Sequence, residues 1–195
     1  MCTEIMQYST PAQPAACVLA SIALPRFVQA DCSFDFDTLH DVTKLVVRNT
    51  DRLIDMSAYP SDAAAASAQN TRAIGIGVQG LADTFMAMGL PYSSDRARDL
   101  NVDIFETIYH AALETSCELA KAEGPYPAWP DSPAAAGELY FDMWPVALRR
   151  RFDFDSLRSR IAKFGLRNSL LTAQMPTAST ARILGNSQGI EPYDR

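Results

Sequence analysis

The segment Ala73-Ile74-Gly75-Ile76-Gly77-Val78-Gln79-Gly80 carries the clearest signal for the fold of this chain. Its apolar residues from Ala73 to Val78 form a short continuous run, which predicts a buried strand. A helix is expected directly afterwards, from about Leu81 to Met88. A buried strand followed at once by a helix is the repeating unit of α/β proteins, so this segment predicts the α/β class.

The spacing of Gly75, Gly77 and Gly80 also matches the glycine pattern of dinucleotide-binding turns. That interpretation needs a second strand and an acidic residue about 20 positions further along the chain. Asp99 lies near that distance but falls inside a predicted helix. We therefore interpret these glycines as small residues that allow close packing between strand and helix.

Other elements extend outward from this unit in both directions. A one-sided apolar pattern predicts a helix from Asp37, with Asp35 or Asp37 as its cap. Ser94 begins the longest predicted helix, which Gly124-Pro125 ends. The remaining segments are an apolar run at Cys17 to Leu24, a loop or short helix at Ser57 to Asn70, an irregular region with five prolines at Pro125 to Pro145, a helix at Asp155 to Phe164, a strand at Leu166 to Ala173 and a helix start at Thr180 to Leu184.

The composition indicates an ordinary globular domain. The chain has 195 residues, of which 48% are hydrophobic and 21% are charged. A net charge of -6 argues against a surface for a nucleic-acid polymer, although a single phosphate group needs only a local site. The sequence shows no leader and no apolar run long enough to cross a membrane, so we expect a cytoplasmic protein that binds no membrane.

The cysteines are expected to be thiols or redox-active groups, because a reducing compartment disfavours structural disulfides. Cys2, Cys17, Cys32 and Cys117 have spacings that match no zinc-binding pattern. Cys32 and Cys117 are interpreted as buried small residues or surface residues. His40 and His110 are given no role, and no metal site is expected.

Pro176-Thr177-Ala178-Ser179-Thr180 is the strongest candidate for a phosphate site. It follows a predicted strand and leads into a predicted helix, whose first N–H groups have no partners inside the helix. The hydroxyls of Thr177, Ser179 and Thr180 would add donors. Plain capping of the helix by a Ser or Thr side chain is the simpler alternative on these residues alone.

Cys2 and Glu4 are two positions apart, so their side chains would share one side of an extended segment. A nearby carboxylate disfavours the thiolate form of cysteine. The pair is better suited to a neutral or radical sulfur, with Glu4 moving a proton. For Cys17, which lies in an apolar run, the simpler alternative is a small buried residue.

Several uncommon segments occur together in one order, and as a set they resemble a known family: the large catalytic subunit of class I ribonucleotide reductase. The resemblance covers nearly the whole chain. It rests on Cys2-Thr3-Glu4-Ile5, Ala16-Cys17-Val18-Leu19-Ala20-Ser21, Gly75 to Asp83, Ile104-Phe105-Glu106-Thr107-Ile108-Tyr109, Arg167-Asn168-Ser169-Leu170, Met175 to Thr180, Ile183-Leu184-Gly185-Asn186 and Ile190-Glu191-Pro192-Tyr193.

The resemblance implies an α/β fold in which residues 1–195 form part of a ten-stranded barrel, namely the tip of its finger loop and part of its second half. It implies that Cys2 carries a thiyl radical that abstracts the ribose 3′ hydrogen, and that Glu4 takes the 3′ hydroxyl proton. Cys17 would be one of the two thiols that reduce the 2′ carbon. Pro176, Thr177, Ala178, Ser179 and Thr180 would hold the substrate diphosphate.

The resemblance also implies partners. The substrate would be a ribonucleoside diphosphate, the radical would come from a metal-containing small subunit, and thioredoxin or glutaredoxin would reduce the full enzyme. No cofactor is expected to bind this chain directly. The family's ATP and dNTP regulatory sites, the thiol partner of Cys17 and the radical-transfer tyrosines are absent from these residues, and Val18 replaces a frequent asparagine. We therefore expect the isolated chain to be inactive, and the alternative function is an inactive remnant that binds a reductase subunit.

Overall fold

Two parallel strands lie at the centre of the fold. In the computed structural model, which describes residues 5–144, 148–149 and 151–193, β1 is Val18–Ala23 and β2 is Ile74–Gln79. Their register runs from Val18 opposite Ile74 to Ala23 opposite Gln79. The strand expected in the 73–80 segment is therefore confirmed, and the apolar run at Cys17 to Leu24 contains a strand that the sequence analysis did not assign.

A third extended segment pairs with the other side of β2. Thr172 forms a parallel bridge with Ile76, and the Ala173 N–H donates to the Ile76 carbonyl over 3.0 Å. The strand predicted at Leu166 to Ala173 is thus wrong in its first half. The N–H groups of Arg167 and Ser169 donate instead to the carbonyls of Ser116 and Thr71, so they cannot join the sheet.

Six helices surround these strands in the described part of the chain. Their bounds are Phe36–Met56 (α1), Asp62–Thr71 (α2), Leu81–Ala87 (α3), Asp95–Glu123 (α4), Phe154–Phe164 (α5) and Ala178–Leu184 (α6). The expected helix at Leu81, the long helix from Ser94 and the helix before Gly165 are all confirmed. The segment at Ser57 to Asn70, left open between loop and short helix, contains α2. The irregular proline-rich region contains two short 3-10 turns, Trp129–Asp131 and Tyr140–Met143.

The helix ends use the predicted caps. The Asp35 carboxylate accepts a hydrogen bond from the Thr38 N–H over 2.9 Å, and the Ser94 hydroxyl accepts one from the Ala97 N–H over 3.2 Å. Each bond satisfies one of the donors that a helix start leaves without an internal partner. At the other end of α4, Gly124 has a φ of 88°, which is unfavourable for any residue with a Cβ.

The hydrophobic core lies on one face of the sheet. Ile74, Ile76 and Val78 are fully buried and belong to the same apolar cluster as Leu39 and Val47 of α1. α1 packs on both strands, and α4 packs on α1. The molecule is therefore layered as sheet, α1 and α4, which confirms the α/β class.

A buried ionic network fixes the start of β2. Arg72, in a left-handed conformation with φ 45°, donates to the Asp51 carboxylate over 2.9 Å and to Asp55 over 2.8 Å. Asn168 donates to Asp51 over 2.8 Å and to the Arg72 carbonyl over 3.0 Å. Hydrogen bonds from Arg72 hold the pKa of Asp55 below its usual value. The network joins α1 to the start of β2 and to the chain entering the third extended segment.

The glycines of β2 allow close approach, as expected, but their partner differs from the predicted helix. A Cβ on Gly77 would lie 2.3 Å from the Ala173 carbonyl oxygen, and one on Gly75 would lie 2.6 Å from the end of the Leu19 side chain. The glycines therefore pack against the third extended segment and β1. This packing accounts for the glycine pattern without a bound dinucleotide.

Candidate functional site

The second face of the sheet carries small and polar side chains. Strand side chains alternate between faces, and the register places Ser21 opposite Gly77 and Ala23 opposite Gln79. The Gln79 amide is fully buried and donates to the Ser21 hydroxyl over 2.9 Å. Leu19 on this face remains 44% exposed. This face is therefore the less covered of the two, and it presents polar groups.

Cys17 is half-buried and immediately precedes β1. By the alternation of the strand it belongs to the same face as Ser21. Cys2 and Glu4 lie outside the described residues. The two other cysteines follow the expected interpretation: Cys117 is buried and Cys32 is exposed, and both are free thiols.

The segment Pro176 to Thr180 lies beyond the carboxyl end of the third extended segment and leads into α6. Thr177 is buried, and its hydroxyl accepts a hydrogen bond from the Gly189 N–H over 2.8 Å. Ser179 and Thr180 are exposed. Thr177 occupies the capping position but makes no side-chain capping bond, so capping by this side chain does not explain the hydroxyl cluster. Thr177 instead ties the start of α6 to the chain that follows α6.

The chain that follows α6 closes over the carboxyl end of β2. The Gly80 N–H donates to the Ser187 carbonyl over 2.9 Å, and the Asn186 amide donates to the Gln79 side-chain oxygen over 3.3 Å. The Ser187 N–H and the Tyr193 hydroxyl both donate to Asp83 in α3. Burial opposes ionisation of Asp83, but hydrogen bonding from the Ser187 side chain, the Tyr193 hydroxyl and the Ser187 N–H outweighs it and lowers the pKa of Asp83. The 185–193 segment is thus held against β2 and α3 at several points.

The Gln174 side-chain oxygen, just before the Pro176 to Thr180 segment, is buried without a hydrogen-bond partner in the described part of the chain. Buried polar atoms are normally satisfied by protein, water or a ligand. The carboxyl edge of a parallel sheet is also the usual place for ligands in α/β proteins. These features make this edge the strongest candidate for a binding site.

The structure brings the Pro176 to Thr180 segment together with Gln79, Gly80 and the 185–193 segment. Cys17 lies at the amino end of β1, on the same face of the sheet as Ser21.

Sequence reasoning missed the polar chain from Ser21 through Gln79 to Asn186. The only local signal for it was a glutamine at the end of an otherwise apolar run. It also missed the meeting of His40 with His110, which depends on the packing of α1 against α4. A partial signal was present, since His110 and Glu114 are four residues apart and therefore share one helix face.

Comparison with known proteins identifies the family of this chain. A family model described as the ribonucleotide reductase barrel domain matches residues 1–194. The chain belongs to this family. The resemblance drawn from the sequence motifs is therefore confirmed at the level of the family.

This member of the ribonucleotide reductase barrel-domain family is also similar to several reductase large subunits. It is 55% identical over 193 residues to the ribonucleoside-diphosphate reductase large subunit of Caenorhabditis elegans. It is 52% identical over 194 residues to the large chain of Neurospora crassa and 51% identical over 195 residues to the large subunit of Plasmodium falciparum. Each match covers 99% of this chain, but only 21–24% of the relative. The chain thus spans about a quarter of the length of these relatives.

None of the helices in residues 5–144, 148–149 and 151–193 combines the length and the apolar character that a membrane span requires.

Proposed function

We propose that this chain forms part of a site that reduces ribonucleoside diphosphates to deoxyribonucleoside diphosphates, the precursors of DNA. The observation that carries the proposal is the polar carboxyl edge of the sheet, where Thr177 is buried and Ser179 and Thr180 are exposed at a helix start. The family match and the identity to reductase large subunits support it. As a fold, the chain would supply part of a larger α/β barrel.

Binding of the substrate diphosphate is assigned to Pro176, Thr177, Ala178, Ser179 and Thr180. The N–H groups in the first turn of α6 carry partial positive charge, which favours an anion. Ser179 can add a hydroxyl donor from the exposed side. The Thr180 hydroxyl donates to the Thr177 carbonyl over 3.2 Å and would exchange this bond for one to the substrate. The bond from Gly189 to Thr177 would keep this segment in one conformation before substrate binds, which limits the ordering cost of binding.

The chemistry is assigned to Cys2, Glu4 and Cys17. A thiyl radical on Cys2 would take the 3′ hydrogen, while Glu4 accepts the 3′ hydroxyl proton. The 2′ hydroxyl would leave as water, and Cys17 with a second thiol from outside this chain would supply two electrons and become a disulfide. Cys2 would then return hydrogen to the 3′ carbon. The net change is one ribonucleotide and two thiols to one deoxyribonucleotide, one disulfide and water.

The same proposal defines the partners. A small subunit with its own metal centre would deliver the radical to Cys2, and thioredoxin or glutaredoxin would reduce the disulfide after each turnover. The half-buried position of Cys17 beside an incompletely covered sheet face is consistent with a thiol that must meet substrate. The chain itself would bind no cofactor for this reaction.

The diphosphate assignment is tested in a complete reductase that carries this segment, because the chain spans only a quarter of its relatives. Ser179→Ala combined with Thr180→Ala should weaken nucleoside diphosphate binding by roughly 2–4 kcal/mol, since two hydrogen bonds to a charged group are lost. Calorimetry measures the affinity. Ser156→Ala with Ser159→Ala, on the exposed side of α5, is the matched control. Equal affinity in the test variant and the control would remove the segment from the site.

The division of labour between the cysteines is tested in the same enzyme. Cys2→Ser should abolish the substrate radical, because a hydroxyl cannot replace the thiol as radical carrier. Cys17→Ser should still permit hydrogen abstraction but block clean reduction, so the nucleotide should decompose. Cys32→Ser, at an exposed position, should leave turnover unchanged. Identical nucleotide decomposition in the Cys2 and Cys17 variants would contradict the assignment.

A further inference from the structure

Three potential metal ligands meet between α1 and α4, away from the sheet. His40 comes from α1, and His110 and Glu114 come from α4. The His40 Nε2 lies 3.1 Å from the His110 Nδ1 and 3.9 Å from the Glu114 Oε2. One ligand atom from each of the three residues lies within 4.8 Å of the others. Two helices thus contribute to one compact set of two imidazoles and a carboxylate.

The spacing is close to that of a zinc site. Zinc binds imidazole nitrogen and carboxylate oxygen at about 2.0–2.2 Å, usually in a tetrahedral arrangement, which places neighbouring ligand atoms about 3.3–3.5 Å apart. The 3.1 Å separation, which is a hydrogen bond between the two rings, lies slightly below this range, and the 3.9 Å separation lies above it. The third pair, His110 with Glu114, lies within 4.8 Å. A bound ion would therefore draw the Glu114 carboxylate inward, and the proton between the two rings would move to the other nitrogen of its ring. Two histidines, one carboxylate and a water molecule are a common zinc ligand set.

The rings are held in place by aromatic packing. Phe152 stacks on both imidazoles, with ring centroids 4.4 Å from His110 and 5.2 Å from His40. Phe154 packs edge-on against His110 at 5.2 Å. This packing limits the rotation of the two ligands and excludes water from one side.

Lys44 would compete with a metal ion for the Glu114 carboxylate. Its ammonium nitrogen lies 2.8 Å from the Glu114 Oε2, the same oxygen that faces His40. Arg160 occupies the other oxygen of Glu114 over 3.1 Å. A metal ion would have to replace Lys44 at Glu114. Lys44 already has a second acceptor, because its nitrogen lies 3.4 Å from Glu118. The lysine can therefore remain paired when it leaves Glu114.

We propose that His40, His110 and Glu114 form a zinc-binding site that links α1 to α4, and that Lys44 sets its affinity by competing for Glu114. The site is separate from the polar edge of the sheet and does not depend on the proposed reductase function. Its role is to hold two helices together, because the ion would bind the folded arrangement and not the unfolded chain.

The test is a titration of the 195-residue chain with Zn²⁺ alone, in competition with a chromophoric chelator. One equivalent should bind. His40→Gln and His110→Gln should each weaken binding by more than tenfold, because each removes one ligand. Lys44→Met should strengthen it, because the competing cation is gone. Cys32→Ser should change nothing, which separates this site from binding at an exposed thiol.

Two further measurements make the result decisive. Co²⁺ bound in place of Zn²⁺ should give the visible absorption of a four-coordinate ion without thiolate charge-transfer bands. Circular dichroism reports whether each variant keeps its helices. If a histidine variant loses them, the Lys44→Met result decides. Unchanged or weaker zinc affinity in Lys44→Met, unchanged affinity in folded histidine variants, or a thiolate–cobalt spectrum would each overturn the proposal.

Discussion

The two faces of the sheet differ in what they contribute. On one face, Ile74, Ile76 and Val78 are fully buried in the core with α1. On the other, Ser21 and Gln79 form a polar contact and Leu19 remains partly exposed. The same six residues of β2 serve both faces, because side chains alternate along a strand. We therefore expect stability to come mainly from the apolar face, because the other face is less completely covered.

The largest expected effect comes from shortening a core side chain. Ile76→Ala should lower the free energy of unfolding by about 3–4 kcal/mol, because it removes buried methyl groups and leaves a cavity. Leu19→Ala, on the partly exposed face, should cost less than about 1.5 kcal/mol. Denaturant unfolding of both variants measures the difference. Equal costs would show that the two faces contribute equally to stability.

The second effect concerns the contact between β2 and the third extended segment. Gly77→Ala should cost about 1–3 kcal/mol, because the new methyl group would meet a backbone oxygen at 2.3 Å. Gly75→Ala is the matched control, since its new methyl group would meet only side-chain atoms, the movable end of Leu19 at 2.6 Å and the Ala173 Cβ at 2.8 Å. Denaturant unfolding should show a smaller loss for Gly75→Ala. The reverse order would mean that the Ala173 carbonyl moves aside more easily than the side chains around Gly75.

The outcomes for β2 and Leu166 to Ala173 show what the sequence could predict. The apolar run from Ala73 to Val78 correctly predicted β2, because nearly every side chain of this strand is buried. The same kind of run failed at Leu166 to Ala173, because the donors of Arg167 and Ser169 bond to α4 and α2. These hydrogen bonds join residues about 50 and 100 positions apart, so no local sequence pattern predicts them.

At the candidate site too, local patterns could be predicted and long-range contacts could not. Pro176 to Thr180 was found because its hydroxyl residues lie between two predictable elements. The support from Gly189 and the contact from Asn186 to Gln79 join residues 12 and 107 positions apart. His40 and His110 are 70 positions apart and meet only because α1 packs on α4. Periodicity identifies each helix but does not determine which histidines face each other.

The third prediction extends the comparison to the helical layer, where titratable side chains are buried. Burial raises the pKa of Tyr109 in α4 to about 12, against about 10 in the unfolded chain. The neutral form is favoured in the folded state, so this stability is complete below pH 10 and is lost as pH rises to 12. The expected loss is about 2 kcal/mol.

Tyr109→Phe is the control for that loss, because phenylalanine cannot ionise. Wild type should be more stable than the variant near pH 8, where the Tyr109 hydroxyl accepts the Tyr140 N–H over 3.0 Å. The advantage should shrink or reverse between pH 10 and 12. Parallel urea titrations across this range measure it, and a constant difference between the two proteins would show that Tyr109 ionises as easily in the folded state as in the unfolded one.

The smallest energetic effect is expected at the polar edge of the sheet. Asn186→Ala removes the donor to the buried Gln79 oxygen and should cost about 1 kcal/mol, because that acceptor is left without this partner.

The more informative result of Asn186→Ala is the local rate of amide hydrogen exchange. Gly80, Ser187 and Gly189 donate backbone hydrogen bonds that close the 185–193 segment over β2. Their amide protons should exchange faster in the variant, while those of Ile74 and Ile76 should not. Gln188→Ala, at an exposed position in the same segment, should leave all of these rates unchanged. If exchange at Ile76 rises as much as exchange at Gly189, the edge and the core open as one unit, and the polar edge cannot adjust to a ligand independently of the core.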